Sequence, residues 1–138
     1  MENKKKSHSQ KFTVCIVEDE ALISEMYKTK LQQEGYEVIL ADDGEKGLTL
    51  IKQEKPDIAL IDLMMPHKDG FSLMKSLKED SVLSKIPIII LTNLDDAETA
   101  DKTADFDAAF YLIKSQYSPT DVVNIVGEVL DSGHAMKF

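Results

Sequence analysis

Five short apolar runs, rich in β-branched residues, recur along this chain, and a stretch with helical spacing follows each of them. The runs are Phe12 to Val17, Glu37 to Ala41, Ile58 to Ile61, Ile86 to Leu91 and Ala109 to Ile113. Continuous apolar strands separated by helices imply a parallel sheet covered on both faces. Right-handed crossovers then give a doubly wound α/β fold. Pro87 is tolerable near the start of its strand.

The helical stretches carry their own punctuation. Leu22, Ile23, Met26 and Leu31 fall near one face of a first helix, which Gly35 stops in a left-handed conformation. Asp42-Asp43-Gly44 turns into a second helix bearing Gly47, Leu48 and Ile51, and Pro56 ends it. Phe71, Met74 and Leu77 mark a third. Ala97, Ala100 and Ala104 suggest a fourth, whose inward face would be mostly alanine. Val122, Val123, Val126, Val129 and Leu130 make the last helix, begun near Ser118-Pro119.

At 138 residues the chain is one domain. Residues 11–131 are expected to form it, between a flexible basic tail at 1–10 and a flexible tail at 132–138. No apolar run approaches the roughly 20 residues that span a bilayer, and the basic, polar stretch MENKKKSHSQK lacks the apolar core of a secretory signal, so membrane insertion is not expected. A lone cysteine, Cys15, forbids an internal disulfide and predicts a cytoplasmic protein with an inert buried thiol. Net charge is −9, and all 16 basic residues are lysines. Without arginine forks to read guanine, and with an acidic balance opposing phosphate backbones, no direct DNA binding is expected. Lys4 to Lys6 read as part of a solvated tail.

The polar residues fall at one edge. Strand one ends in Glu18-Asp19, strand three in Asp62, strand four in Thr92 and strand five in Lys114. In an open parallel sheet all carboxyl ends share the edge where ligands bind. Three carboxylates so close repel one another unless a cation intervenes. Mg²⁺ suits such a set of oxygen ligands, with Mn²⁺ as a substitute. Asp62 can then attack phosphorus to give an aspartyl phosphate. Metal and Lys114 would neutralise the phosphoryl oxygens, and Thr92 would donate a hydrogen bond to one of them. Taken singly, each residue has an ordinary alternative: a turn aspartate, a surface lysine, or Glu18-Asp19 as a helix cap. Their joint occurrence at four strand ends favours a site. Met26, Met65 and Met74 read as packing, His67 as a solvated loop residue, and His8 and His134 as tail residues.

The motifs IVEDE, LIDLMMPHKDG, ILTN and FYLIK resemble those of the receiver domain of two-component response regulators, over nearly the whole length from Lys11 to Asp131. The resemblance implies a flavodoxin-like, five-stranded sheet in the order 2-1-3-4-5, with helices on both faces. It implies that Glu18, Asp19, Asp62 and the Met64 carbonyl hold the metal. Asp62 would accept its phosphoryl group from a histidine kinase or histidine phosphotransfer protein. Thr92 and Tyr111 would act as a switch, read by a downstream protein on the face formed by the fourth helix, fifth strand and last helix. Met64, Asn93 and Leu94 stand where the family tunes loss of the phosphoryl group, and the apolar Met64 and Leu94 predict slow loss. Ser115 replaces the proline usual after the lysine. A non-proline cis bond costs about 2.5 to 4 kcal/mol, so a trans bond is expected there.

Three other readings stand beside this one. A degenerate receiver would bind partners without phosphorylation. A phosphatase would want a second acid where Met64 stands. A flavin carrier would want a Ser/Thr/Gly-rich loop where the acidic EDEALI lies. The receiver itself is expected to be a signalling switch that assists its own phosphorylation, not a metabolic enzyme.

Overall fold

The computed structural model describes residues 12–65, 69–93 and 97–135. Among these, strands β1 (Thr13–Val17), β2 (Glu37–Ala41), β3 (Ile58–Ile61), β4 (Ile88–Thr92) and β5 (Phe110–Ile113) form one parallel sheet in the order β2-β1-β3-β4-β5. The helices are α1 (Ala21–Gln33), α2 (Gly44–Glu54), α3 (Gly70–Lys78), α4 (Ala97–Ala104) and α5 (Pro119–Ala135), with short 3-10 turns at Leu83–Lys85 and Lys114–Gln116.

Alternation along each strand divides the core in two. Val14, Ile16, Ile58, Leu60, Ile89, Leu91 and Leu112 pack with Leu31 of α1 and the valines of α5. Cys15, Val17, Ala59, Ile61, Ile88 and Ile90 pack on the other face with Ile51 of α2 and Leu73, Met74 and Leu77 of α3. Burial on both faces explains why β1, β3 and β4 are apolar throughout rather than alternating, while the edge strands β2 and β5 are only partly buried.

Local chemistry sets the helix ends. Gly35 has φ 96°, the left-handed stop that its position after α1 predicts. Asp43 caps α2 by accepting from the Lys46 amide, and Asp69 caps α3 by accepting from the Ser72 amide. At α5, Ser118 Oγ accepts the Asp121 amide while Asp121 returns a carboxylate to the Ser118 amide, a reciprocal box.

Two helix faces differ from the sequence reading. In α1 the buried residues are Ser24, Tyr27 and Leu31, whereas Leu22 is 88% exposed and Met26 faces outward. In α4 the buried pair is Thr99 and Thr103, and the alanines face solvent. Hydroxyl side chains can turn inward because they return hydrogen bonds to their own helix, as Thr103 Oγ1 does to the Ala100 carbonyl.

Candidate functional site

The register of the sheet assembles the site. Val17 pairs with Ile61, Ile61 with Ile90, and Thr92 with Ile113. Glu18 and Asp62 therefore leave neighbouring strands at the same level, and Lys114 follows the residue paired with Thr92. Backbone bonds carry the ladder one residue further: the Glu18 amide donates to the Ala41 carbonyl and the Asp62 amide to the Val17 carbonyl, both at 3.0 Å. The two acids are thus fixed by the sheet rather than by a loose loop.

Each of these carboxylates is used at both ends. Glu18 Oε1 lies 2.7 Å from Lys114 Nζ, and its Oε2 accepts the Glu20 amide at 3.1 Å. Asp62 Oδ2 lies 3.1 Å from Lys114 Nζ, and its Oδ1 accepts the Met64 amide at 3.2 Å. Both acids and Thr92 are buried. Asp19 is exposed but completes the cluster, with one carboxylate oxygen from each of Glu18, Asp19 and Asp62 within 4.8 Å of one another. Asp19 does not cap α1, since Glu20 occupies the cap position and makes no side-chain cap bond.

Burial pushes the Glu18 carboxyl above its usual range, opposed by the hydrogen bond from Lys114. For Lys114, burial works against the charge, yet the bond to Glu18 and the field of Asp62 outweigh it and raise its pKa. Three carboxylates facing one ammonium leave two negative charges uncompensated. An all-oxygen set with that residual charge fits a hard divalent ion such as Mg²⁺. The cluster is reachable, because Asp19 lines both the groove between α1 and α2 and a smaller cleft with Met64, Met65, Asp69 and Phe71.

Tyr111 stands half-buried on β5, three residues before Lys114, and Asn93 follows Thr92 at the surface. Leu94, and also Pro66 and His67, lie outside the described residues. The Lys114–Ser115 bond is trans, as are the other described peptide bonds. Met74 is buried, Met65 packs at the edge of the core, and Cys15 is fully buried.

Two residues near the site were not singled out by sequence reasoning. A Cβ on Gly70 would lie 2.5 Å from the Asp62 carbonyl oxygen and 2.6 Å from Leu63 Cα, so only glycine lets α3 start against the Asp62 peptide. The signal was present as a glycine directly after a capping aspartate. Tyr27 carried no such signal, because its inward direction depends on the phase of α1.

A family model described as "Response regulator receiver domain" matches residues 14–126. The chain is 38% identical over 125 residues to a probable transcriptional regulator, ycf27, of Guillardia theta, covering 91% of this chain and 48% of that protein. It is 36% identical over 118 residues to the DNA-binding dual master transcriptional regulator RpaA of a Synechocystis strain, covering 84% and 46%. A crystal structure of a CheY-like response regulator receiver domain protein from Methanospirillum hungatei superposes with TM-score 0.84 at 26% identity, covering 91% of this chain and 98% of that one.

The chain spans about half the length of the first curated relatives it matches. These relatives overturn the expectation of no direct DNA binding. The charge argument concerned only the 138 residues at hand, and a receiver of this kind occurs in a DNA-binding regulator more than twice as long as the matched stretch. No described helix is long and apolar enough to cross a membrane. Receiver domains work by phosphorylation in two-component signalling, typically with Mg²⁺ in an acidic pocket, and are not metabolic enzymes. With the fold, the acidic pocket and the matched family model in agreement, the chain belongs to the response regulator receiver domain family.

Proposed function

We propose that Asp62 accepts a phosphoryl group from a phosphohistidine on a partner, a histidine kinase or a histidine phosphotransfer protein. The carrying observation is that Asp62, buried at a strand end, shares one ammonium with Glu18 inside a cluster of three carboxylates. In the transfer an Asp62 carboxylate oxygen forms the new O–P bond as the N–P bond breaks, and the departing imidazole takes up a proton. Glu18, Asp19, Asp62 and the Met64 carbonyl would hold Mg²⁺, or Mn²⁺ in its place. The ion supplies charge neutralisation at the phosphoryl oxygens.

Lys114 is held protonated and would move from Asp62 to a phosphoryl oxygen. The Thr92 hydroxyl would donate to another, and Tyr111 would couple that shift to the surface beyond β5. The likeness to transcriptional regulators favours gene control as the output of this switch. Met64, with a 60% exposed apolar side chain, cannot orient an attacking water. With Leu94, it argues for slow hydrolysis and a long-lived phosphorylated state, and Asn93, the residue after Thr92, would narrow the approach. A half-life of seconds in Mg²⁺ would contradict that part of the reading.

The test is incubation with a small-molecule phosphodonor, with and without Mg²⁺, followed by intact-mass measurement. One metal-dependent phosphoryl addition is expected, absent in Asp62→Asn. No addition to the unsubstituted protein would leave the phosphorylation-independent binding module as the better reading.

A further inference from the structure

Tyr27 lies on the face of α1 turned to the sheet, three residues after Ser24 and four before Leu31, and is only 4% exposed. Its ring belongs to the core layer shared by β1, β5 and α5. Long helical side chains lean toward their own N-terminus. The N-terminus of α1 is at the carboxyl edge of the sheet, just after Glu18-Asp19-Glu20. That lean would carry the phenol toward the site. Electrostatics agree: burial raises the Tyr27 pKa, and the charges bearing on it are first Lys114 and then Glu18.

Its hydroxyl has no hydrogen-bond partner among the described residues, an uncommon state for a polar atom so deeply buried. Lys114 has the complementary lack. An ammonium carries three N–H donors. Glu18 Oε1 and Asp62 Oδ2 take two, and the third has no partner among the described residues.

We infer that Tyr27 is a positioning residue for Lys114, its hydroxyl oxygen accepting the third N–H of the ammonium through one water. A phenylalanine would fill the same space, so packing alone does not require the hydroxyl. The contact holds the ammonium from within the core. Resting here on the proposed function, it also lets Lys114 turn from Asp62 to a phosphoryl oxygen without swinging into solvent.

The test uses Tyr27→Phe in metal-free protein with ¹⁵N-labelled lysine, the Lys114 ammonium signal being assigned by its loss in Lys114→Met. The expected result is a moved Lys114 Nζ resonance and severalfold faster exchange of its protons, with the exposed Lys46 signal unchanged. As the reciprocal reading, Lys114→Met should move the ¹³Cζ resonance of Tyr27. Unmoved signals in the folded variants would overturn the contact. These measurements involve no phosphoryl transfer, so they stand or fall apart from the proposed role of Asp62. With a small phosphodonor at saturating Mg²⁺, the maximal phosphorylation rate of Tyr27→Phe should fall by roughly two- to tenfold, the worth of one hydrogen bond, with Mg²⁺ affinity unchanged. An unchanged maximal rate would overturn the positioning role.

Discussion

The ammonium of Lys114 lies 2.7 Å from Glu18 Oε1, so the residue after β5 is tied by charge to the residue after β1. Their side chains are 10% and 4% exposed, leaving little solvent to screen the pair. Lys114 thus plays the part of a resident cation among the acids. Lys114→Met leaves Glu18, Asp19 and Asp62 facing one another without it. Urea unfolding of the metal-free variant should show a loss of about 3 kcal/mol, the scale of breaking a buried pair from one side. Mg²⁺ should bind the variant more tightly than the unsubstituted protein and restore more stability to it, because the ion no longer competes with the ammonium. Equal gains from Mg²⁺ in both proteins would count against the competition.

Two glycines give opposite expectations. Gly70→Ala puts a methyl group 2.5 Å from the Asp62 carbonyl oxygen, so the peptide that carries the acceptor must move. A stability loss of about 1 to 3 kcal/mol, typical of overpacking, should come with weaker Mg²⁺ binding. Gly127→Ala, inside α5, meets only the Tyr36 hydroxyl at 3.5 Å, an ordinary contact. There the gain in helix propensity should stabilise the protein by about 0.5 to 1 kcal/mol. Chemical denaturation of the two variants side by side reads both effects.

Strand number and the polar strand ends were legible because a buried parallel sheet allows few residue types except at its carboxyl edge, whereas the strand order came from the family resemblance. Glu18, Asp62, Thr92 and Lys114 stood out against that background. The phases of α1 and α4 were not legible. Apolar identity pointed to Leu22 and Met26, or to Ala97 and Ala100, while the packing chose Ser24, Tyr27, Thr99 and Thr103. Which face meets the sheet depends on how the preceding loop delivers the chain, and Glu18 helps set this by accepting the Glu20 amide just before α1. The relatives' link to DNA was not legible from charge, since this chain matches only about half of their length.

The phase of α1 can be tested directly. Leu22 is 88% exposed whereas Leu31 is fully buried. Leu22→Glu should change stability by no more than about 0.5 kcal/mol, as surface substitutions generally do. Leu31→Ala should cost about 2 to 5 kcal/mol through lost burial and the cavity left behind. A large loss at Leu22 would mean that α1 presents its other face to the sheet.

Cys15 supplies the pH dependence with the clearest sign. It is fully buried in β1, and desolvation pushes its thiol up to about 12. In the unfolded chain a thiol ionises near about 8.5. A folded value above the unfolded one means that stability is fully present below the unfolded value and is lost as pH rises toward the folded one. Cys15→Val removes the titrating group while keeping an apolar, β-branched side chain suited to the strand. Other lysines and tyrosines titrate alike in both proteins and cancel in the difference. From about pH 9 upward the unsubstituted protein should lose stability relative to Cys15→Val, approaching about 1.4 kcal/mol per pH unit. Below about pH 8 the two stability curves should run parallel, and iodoacetamide should modify Cys15 only when the chain unfolds. Curves that stay parallel to pH 10.5 or so would show that the folded thiol ionises as readily as the unfolded one, and so is not shielded by the sheet.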